Sequence, residues 1–139
     1  MRRAALAAAI CLAASLSSPA LADDQSVCKD ENAAPDVAIE ACTRIIKAAK
    51  TKGADLAITY YNRAISYRQK DDTDSALADY NESLRINPKY PKAFNNRANI
   101  WKDKGDLDRA IADYNEAIKL DAKFALAYAK RNRAQIVLP

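Results

Sequence analysis

The sequence predicts an all-α fold, a solenoid of antiparallel helix pairs, from two observations. Residues 57–90 are followed directly by a second 34-residue copy, residues 91–124, in which thirteen aligned positions are identical. Within each copy, apolar residues recur at spacings of three and four, which places them on one face of a helix. Helix pairs this short cannot bury their apolar faces alone, so neighbouring pairs are expected to stack.

The second copy shows the two-helix pattern most clearly. Its first helix is predicted over residues 91–104, where Phe94 and Trp101 share one apolar face. Gly105 supplies the left-handed conformation that ends a helix, and Asp106 is placed to cap the next helix. That second helix is predicted from its own apolar face, formed by Ala110, Ile111, Tyr114, Ala117 and Ile118.

The first copy carries equivalent signals at its helix ends. Asp71 stands in place of the glycine, and Asp72 is placed as the helix cap. Asn87 and Pro88 end the second helix, because proline lacks an amide hydrogen and disfavours helical geometry in the residue before it.

The spacing of large, small and aromatic residues resembles the tetratricopeptide repeat. In the first copy the matching residues are Tyr60, Ala64, Tyr67, Ala76, Tyr80, Ser83 and Pro88. In the second copy they are Phe94, Ala98, Trp101, Ala110, Tyr114 and Ala117. Two departures stand out: Ala122 replaces the last proline, and Arg63 and Arg97 replace a leucine of the family. We therefore expect the helix–helix contact at the two arginines to differ from that of the family.

The resemblance implies a right-handed superhelical solenoid whose first helices line a groove for a protein partner. The small residues of the pattern let the two helices of a pair approach closely. Ala64 is expected to face Ala76 in the first copy, and Ala98 to face Ala110 in the second.

An earlier, degenerate helix pair is predicted over residues 23–56. Its second helix, residues 35–47, lies four residues further from the first copy than the repeat period requires. Four residues are about one helical turn, so the apolar phase is kept, and Gly53 is expected to mark the break. The partner helix is predicted to be short, over residues 26–31.

The first 22 residues are predicted to be a secretory signal peptide. Two arginines precede an Ala- and Leu-rich run, and Ala20 and Ala22 are the small residues that suit cleavage after Ala22. The run is too short for a membrane-spanning helix, and Ile10 before Cys11 disfavours a lipid anchor. The mature chain is expected to be periplasmic or secreted by a bacterium. Loss of the two arginines lowers its net charge from +4 to +2.

Cleavage leaves two cysteines, Cys28 and Cys42, each seven residues from Pro35. An even pair in an exported chain predicts a disulfide that staples the short first helix to the second. The alternative is two buried thiols that do not meet. Two sulfurs are too few ligands for zinc, and the chain has no histidine, so no metal and no cofactor are expected.

Residues 125–139 form one more amphipathic stretch. A helix there is expected to cap the open end of the solenoid, as repeat arrays require. The alternative is the first helix of a truncated third repeat. In either case the helix is expected to lie over the second copy.

The sequence offers few residues for catalysis. It contains no histidine, the commonest general base, and no recognisable nucleophile or phosphate-binding motif. Four acidic residues recur with the repeat period and are interpreted as a solvated helix face: Asp79, Glu82, Asp113 and Glu116. Acidic and basic residues alternate along the chain, which disfavours a nucleic-acid partner. We therefore expect a binding protein and not an enzyme.

The predicted binding surface is the groove along the first helices. The resemblance places in it, or beside it, Ile58, Tyr61, Asn62, Ile65, Arg68, Lys92, Asn95, Asn96, Asn99, Lys102, Lys130 and Arg133. Asparagine can hydrogen-bond a peptide backbone, and lysine or arginine suits carboxylates. The expected ligand is an extended peptide with an acidic part or a free C-terminus. The alternative, given equal weight, is a generic polar helix face.

The leading interpretation is an adaptor that binds an extended peptide or a partner helix in this groove. The alternative is a chaperone-like or assembly subunit of an envelope complex. An autonomous adaptor is expected to melt cooperatively as a monomer, whereas a subunit is expected to be marginally stable or to self-associate through the ends of the solenoid.

Overall fold

The computed structural model describes residues 19–123, 129 and 132–133, and within these ranges the chain forms six α-helices and no strand. The helices are α1 (Pro19–Lys29), α2 (Pro35–Ala48), α3 (Gly53–Gln69), α4 (Thr73–Ile86), α5 (Pro91–Asp103) and α6 (Leu107–Leu120). Helix α1 packs against α2, α3 against α4, and α5 against α6. Contacts of α2 with α3 and of α4 with α5 stack the three pairs. The predicted all-α solenoid of helix pairs is confirmed.

The turns inside the two repeats have the predicted caps. Asp71 and Gly105 take left-handed φ angles of 59° and 79°. Directly after them, the side chains of Asp72 and Asp106 each accept a hydrogen bond from the amide three residues later, at 3.2 and 3.1 Å. These bonds satisfy amide groups that the first turn of a helix leaves without a partner.

The core is built on the predicted contacts between small residues. Ala64 and Ala76 of the first repeat and Ala98 and Ala110 of the second are all 0% exposed, so the helices of each pair approach closely. Trp101 packs against the apolar clusters of both repeats. The core therefore runs continuously from one repeat into the next.

The two arginines that replace the family's leucine form buried ion pairs. Arg63 Nε and Nη2 donate to the two carboxylate oxygens of Asp79 at 2.7 and 2.8 Å. Arg97 makes the same fork with Asp113 at 2.8 and 2.7 Å. Because these carboxylates are only 5% and 6% exposed, the predicted solvated face is wrong for both, and paired hydrogen bonds offset their loss of water. The other two acidic positions are partly exposed: Glu82 and Glu116.

The same arginines also connect neighbouring helix pairs. Arg63 Nη1 donates to Thr43 Oγ1 of α2 at 3.0 Å, and Arg97 Nη1 donates to Asn81 Oδ1 of α4 at 2.7 Å. Each guanidinium therefore bonds within its own pair and to the pair before it. The contact that the sequence predicts to differ from leucine packing is an ion pair that helps to hold the stack together.

The first helix pair is longer than predicted. Helix α1 begins at Pro19 and ends at Lys29, so the prediction of a short helix over residues 26–31 is wrong. The reason is a polar contact with α2: Arg44 Nε lies 3.0 Å from both oxygens of Asp24, and Nη2 lies 2.6 Å from one of them. This ion pair secures the turns of α1 that precede the cysteine.

The four extra residues before the first repeat lengthen one helix. Helix α3 has 17 residues, whereas its equivalent α5 has 13. The added turn begins at Gly53, whose φ angle is 58°, so the predicted break there is confirmed. Cys28 of α1 and Cys42 of α2 form a disulfide with Cα atoms 5.0 Å apart, as predicted.

Both ends of the chain lie largely outside the described residues. The predicted signal peptide is described only from Pro19 onward, as the start of α1. Of the predicted capping helix, residues 125–139, the structure describes Ala129, Asn132 and Arg133, which are helical. In the described part of the chain, the helices are too short or too polar to cross a membrane.

Candidate functional site

A cleft of about 470 Å³ opens between α3 and α5. The loop after α1 and helix α4 complete its walls. Its lining residues are Glu31, Ile65, Arg68, Gln69, Tyr80 and Asn96. The cleft therefore combines one apolar side chain, one guanidinium, one carboxylate and three uncharged polar groups. Its volume lies within the range of about 300–1,000 Å³ that is usual for binding pockets.

Aromatic packing stiffens the wall of the cleft. The Tyr61 ring centroid lies 5.9 Å from that of Tyr80 and 4.9 Å from that of Tyr90. The Tyr61 hydroxyl accepts a hydrogen bond from Asn96 Nδ2 at 3.1 Å, which ties α3 to α5. Two predicted groove residues, Tyr61 and Asn96, are thus brought together across the helices.

Arg68 offers the cleft a positive charge. It lies in the last turn of α3, with Nη2 3.8 Å from the nearest carboxylate oxygen of Asp103. The two side chains are 42% and 59% exposed, and exposed ion pairs at such distances contribute little in water. The guanidinium can therefore turn to a ligand's carboxylate at little cost. Asn62 and Ile65 line a smaller cleft beside the end of α1.

The asparagines of the second repeat are used within the fold. Asn99 Oδ1 accepts hydrogen bonds from the Tyr114 hydroxyl at 2.5 Å and from Asn132 Nδ2 at 3.1 Å. Asn95 is 5% exposed, and its Nδ2 lies 3.4 Å from Asn96 Oδ1. Asn95 therefore presents little open surface, whereas Asn99 is partly exposed but has its side-chain oxygen engaged within the fold.

The remaining predicted groove residues are mostly cationic. Lys92 and Arg133 are exposed, whereas Lys102 and Ile58 are half-buried. Lys130 lies outside the described residues. Among the predicted groove residues that the structure describes, every charged side chain is positive. The structure adds one carboxylate to the lining of the cleft, that of Glu31.

Two tyrosines of the cleft region remain protonated. Burial, with Tyr61 nearby, raises the pKa of the Tyr80 and Tyr90 hydroxyls above the ordinary value of 10.0. Both hydroxyls therefore keep their protons near neutral pH and can act as donors. Within the described ranges, no group of three or more cysteines or acidic residues is placed to hold a metal ion.

The repeat family follows from the sequence pattern of the two copies. The pattern of the tetratricopeptide repeat matches residues 57–90 and 91–124. This chain is a tetratricopeptide repeat protein. No curated protein matches it in a comparison of sequences.

Solved structures share the fold of this tetratricopeptide repeat protein. The first and second tetratricopeptide domains of Spaghetti (RPAP3), each bound to the HSP90 peptide SRMEEVD, are both 24% identical to it, with TM-scores of 0.63 and 0.56. Both matches cover 74% of this chain, and 79% and 93% of those chains. MamA is 20% identical with a TM-score of 0.59, over 72% of this chain. This chain spans 59% of the length of the MamA chain.

Sequence reasoning misses three residues of the cleft in this repeat protein: Glu31, Gln69 and Tyr80. Glu31 is placed by the loop after α1, and the end of that helix was not defined by the repeat pattern. Gln69 directly follows the predicted Arg68, so the spacing of the groove positions could have included it. Tyr80 occupies a core position of the repeat, and its place beside the cleft depends on three-dimensional packing.

Proposed function

We propose that this tetratricopeptide repeat protein is a non-catalytic adaptor that binds an extended, acidic peptide segment of a partner protein between α3 and α5. The observation that carries this proposal is the cleft of about 470 Å³, in which Ile65 and the exposed Arg68 lie beside the Asn96 amide. Such a set can take an apolar side chain, a carboxylate and a backbone group of one peptide segment.

The charge of the surface favours an acidic ligand. Arg68 lies in the cleft together with Glu31, while on the next first helix Lys102 stands at the position equivalent to Arg68 and Lys92 at another groove position. Guanidinium and ammonium groups form charge-assisted hydrogen bonds with carboxylates, which are stronger than neutral ones. A peptide rich in Asp and Glu, or ending in a free carboxylate there, is the ligand that this surface fits.

Solved structures of similar fold give further support. Two of them hold the peptide SRMEEVD, which carries two glutamates and an aspartate. The carboxylate clamp of some tetratricopeptide proteins is only partly present here, because Tyr61, Ile65 and Leu126 stand where other residues are needed. The proposal therefore names an acidic peptide and not that particular sequence.

The proposed place of action is the periplasm or the medium outside the cell. The disulfide between Cys28 and Cys42 suits an oxidising compartment, and residues 1–22 have the order of a signal peptide. N-terminal sequencing of the exported protein is expected to begin at Asp23. An intact N-terminus on that protein would contradict the proposed cleavage.

Two synthetic pools of degenerate heptapeptides test the binding proposal. One pool carries Asp and Glu at the positions where the other carries Asn and Gln, and the two pools are otherwise identical. The immobilised protein is expected to retain the acidic pool and not the neutral one. Arg68→Ala is expected to weaken the Kd for retained peptides at least tenfold, since a hydrogen bond to a charged group contributes about 1.5–3 kcal/mol.

Arg85→Ala is the matched control for this experiment. Arg85 is also an exposed arginine with a carboxylate neighbour, Glu82 at 2.7 Å, but it lies on α4 and does not line the cleft. Its replacement is expected to leave the Kd unchanged. Equal retention of the two pools, or equal effects of the two variants, would overturn the proposed site.

A further inference from the structure

The two repeats place equivalent tyrosines in different surroundings. Tyr80 and Tyr114 occupy equivalent positions, 34 residues apart. In the second repeat, the Tyr114 hydroxyl lies 2.5 Å from Asn99 Oδ1, to which it donates. The residue equivalent to Asn99 in the first repeat is Ile65, which has no acceptor in its side chain. The first repeat therefore lacks the group that satisfies the second repeat's tyrosine.

The Tyr80 hydroxyl is accordingly buried without a partner. Tyr80 is 0% exposed, and none of the described residues forms a hydrogen bond with its side-chain oxygen. The neighbouring Asn96 side chain lowers the pKa of this hydroxyl, yet the two groups do not meet hydrogen-bond geometry, and Asn96 bonds with Tyr61 and Asn95. A buried hydroxyl without a hydrogen-bond partner lowers the stability of the fold. Its presence therefore indicates a function other than packing.

The position of the hydroxyl indicates what that role is. Tyr80 borders the same cleft as Ile65 and Arg68, and Arg68 lies close enough to act electrostatically on its hydroxyl. Burial raises the pKa of the hydroxyl, so the group remains a hydrogen-bond donor. A hydroxyl donor beside a guanidinium is a pair that suits a carboxylate.

We propose that the Tyr80 hydroxyl and the Arg68 guanidinium together hold one carboxylate of the bound peptide, with Ile65 against the methylene groups of the same side chain. This inference rests on the proposed function and names the chemical group that enters the cleft. The Tyr80 oxygen has less than 1 Å² of exposed surface, so the side chains around it must move as the ligand enters. The carboxylate then supplies to Tyr80 the acceptor that Asn99 supplies to Tyr114.

Thermal unfolding without ligand tests the first half of this proposal. Tyr114→Phe removes an internal hydrogen bond and is expected to lower the Tm by roughly 5 °C. Tyr80→Phe removes a hydroxyl that has no internal partner and is expected to leave the Tm unchanged or to raise it. Equal falls in the two variants would show that the Tyr80 hydroxyl is already satisfied, which overturns the proposal.

Peptide binding tests the second half, with the acidic heptapeptide pool as the probe. Tyr80→Phe is expected to weaken the Kd for retained peptides roughly tenfold while the protein remains folded. Ile65→Asn gives the hydroxyl an internal acceptor, as in the second repeat, and is expected to weaken binding as well. Arg85→Ala again serves as the control with unchanged Kd.

The outcomes separate this proposal from the function on which it rests. Weaker binding in Tyr80→Phe with an unchanged Tm supports the subsite. An unchanged Kd in Tyr80→Phe, together with a loss in Arg68→Ala, overturns the subsite and leaves the proposed function standing. No retention of the acidic pool by the unaltered protein overturns both.

Discussion

Replacing Asp79 with alanine is expected to lower the free energy of unfolding by about 3 kcal/mol, near the lower end of the range for breaking a buried ion pair. The variant leaves the Arg63 side chain, which is only 16% exposed, without its carboxylate. The loss stays near the lower end because Arg63 keeps its hydrogen bond to Thr43. Urea unfolding followed by circular dichroism measures it.

Two further variants show whether burial of the pair causes the loss. Glu82→Ala breaks an exposed ion pair on the same helix and is expected to change stability by less than about 0.5 kcal/mol. The double variant Arg63→Leu, Asp79→Ala is expected to recover most of the loss, because no charge is then left buried and unpaired. A loss in Asp79→Ala no larger than that in Glu82→Ala would contradict the account.

The helix pairs and their turns could be predicted because local sequence determines them. Apolar spacing gives the helices, and Asp72 and Asp106 cap α4 and α6 with bonds to amides only three residues away. Ala64 and Ala76 meet because small residues allow close approach of two helices that a short turn already joins. None of these inferences needs knowledge of distant contacts.

The buried ion pairs could not be predicted from one helix face at a time. On α4, Asp79 stands among polar residues, and that pattern is typical of a solvated surface. Its partner lies on the preceding helix, and only the pairing of α3 with α4 brings the two charges together. One signal was present: arginine and aspartate are sixteen residues apart in both copies, as Arg63 and Asp79 and as Arg97 and Asp113.

The candidate site was predictable in part, for a related reason. Ile65, Arg68 and Asn96 stand at the groove positions of the repeat and line the observed cleft. The repeat pattern fixes where a side chain lies, but it does not show whether its polar atoms are already bonded. Asn99 illustrates the difference, because its oxygen is engaged by Tyr114 and Asn132.

Replacing both Cys28 and Cys42 with alanine is expected to lower the free energy of unfolding by about 3 kcal/mol, the loop-closure value for a crosslink of this span. The two residues are 14 apart in the chain. Helix α1 depends on the bond, because Val27 and Cys28 are its only described members of the apolar cluster that it shares with α2. Urea unfolding of the variant and the unaltered protein, both without reductant, measures the loss.

The helices in which amide hydrogen exchange becomes faster show whether the disulfide stabilises only its own end of the solenoid. In a solenoid each helix pair contacts only its neighbours, so loss of the bond at one end is expected to expose that end first. Amide hydrogen exchange is expected to quicken in α1 and to stay slow in α5 and α6. Equally faster exchange in every helix would contradict a local staple, since the main packing partners of α1 among the described helices are α2 and α3.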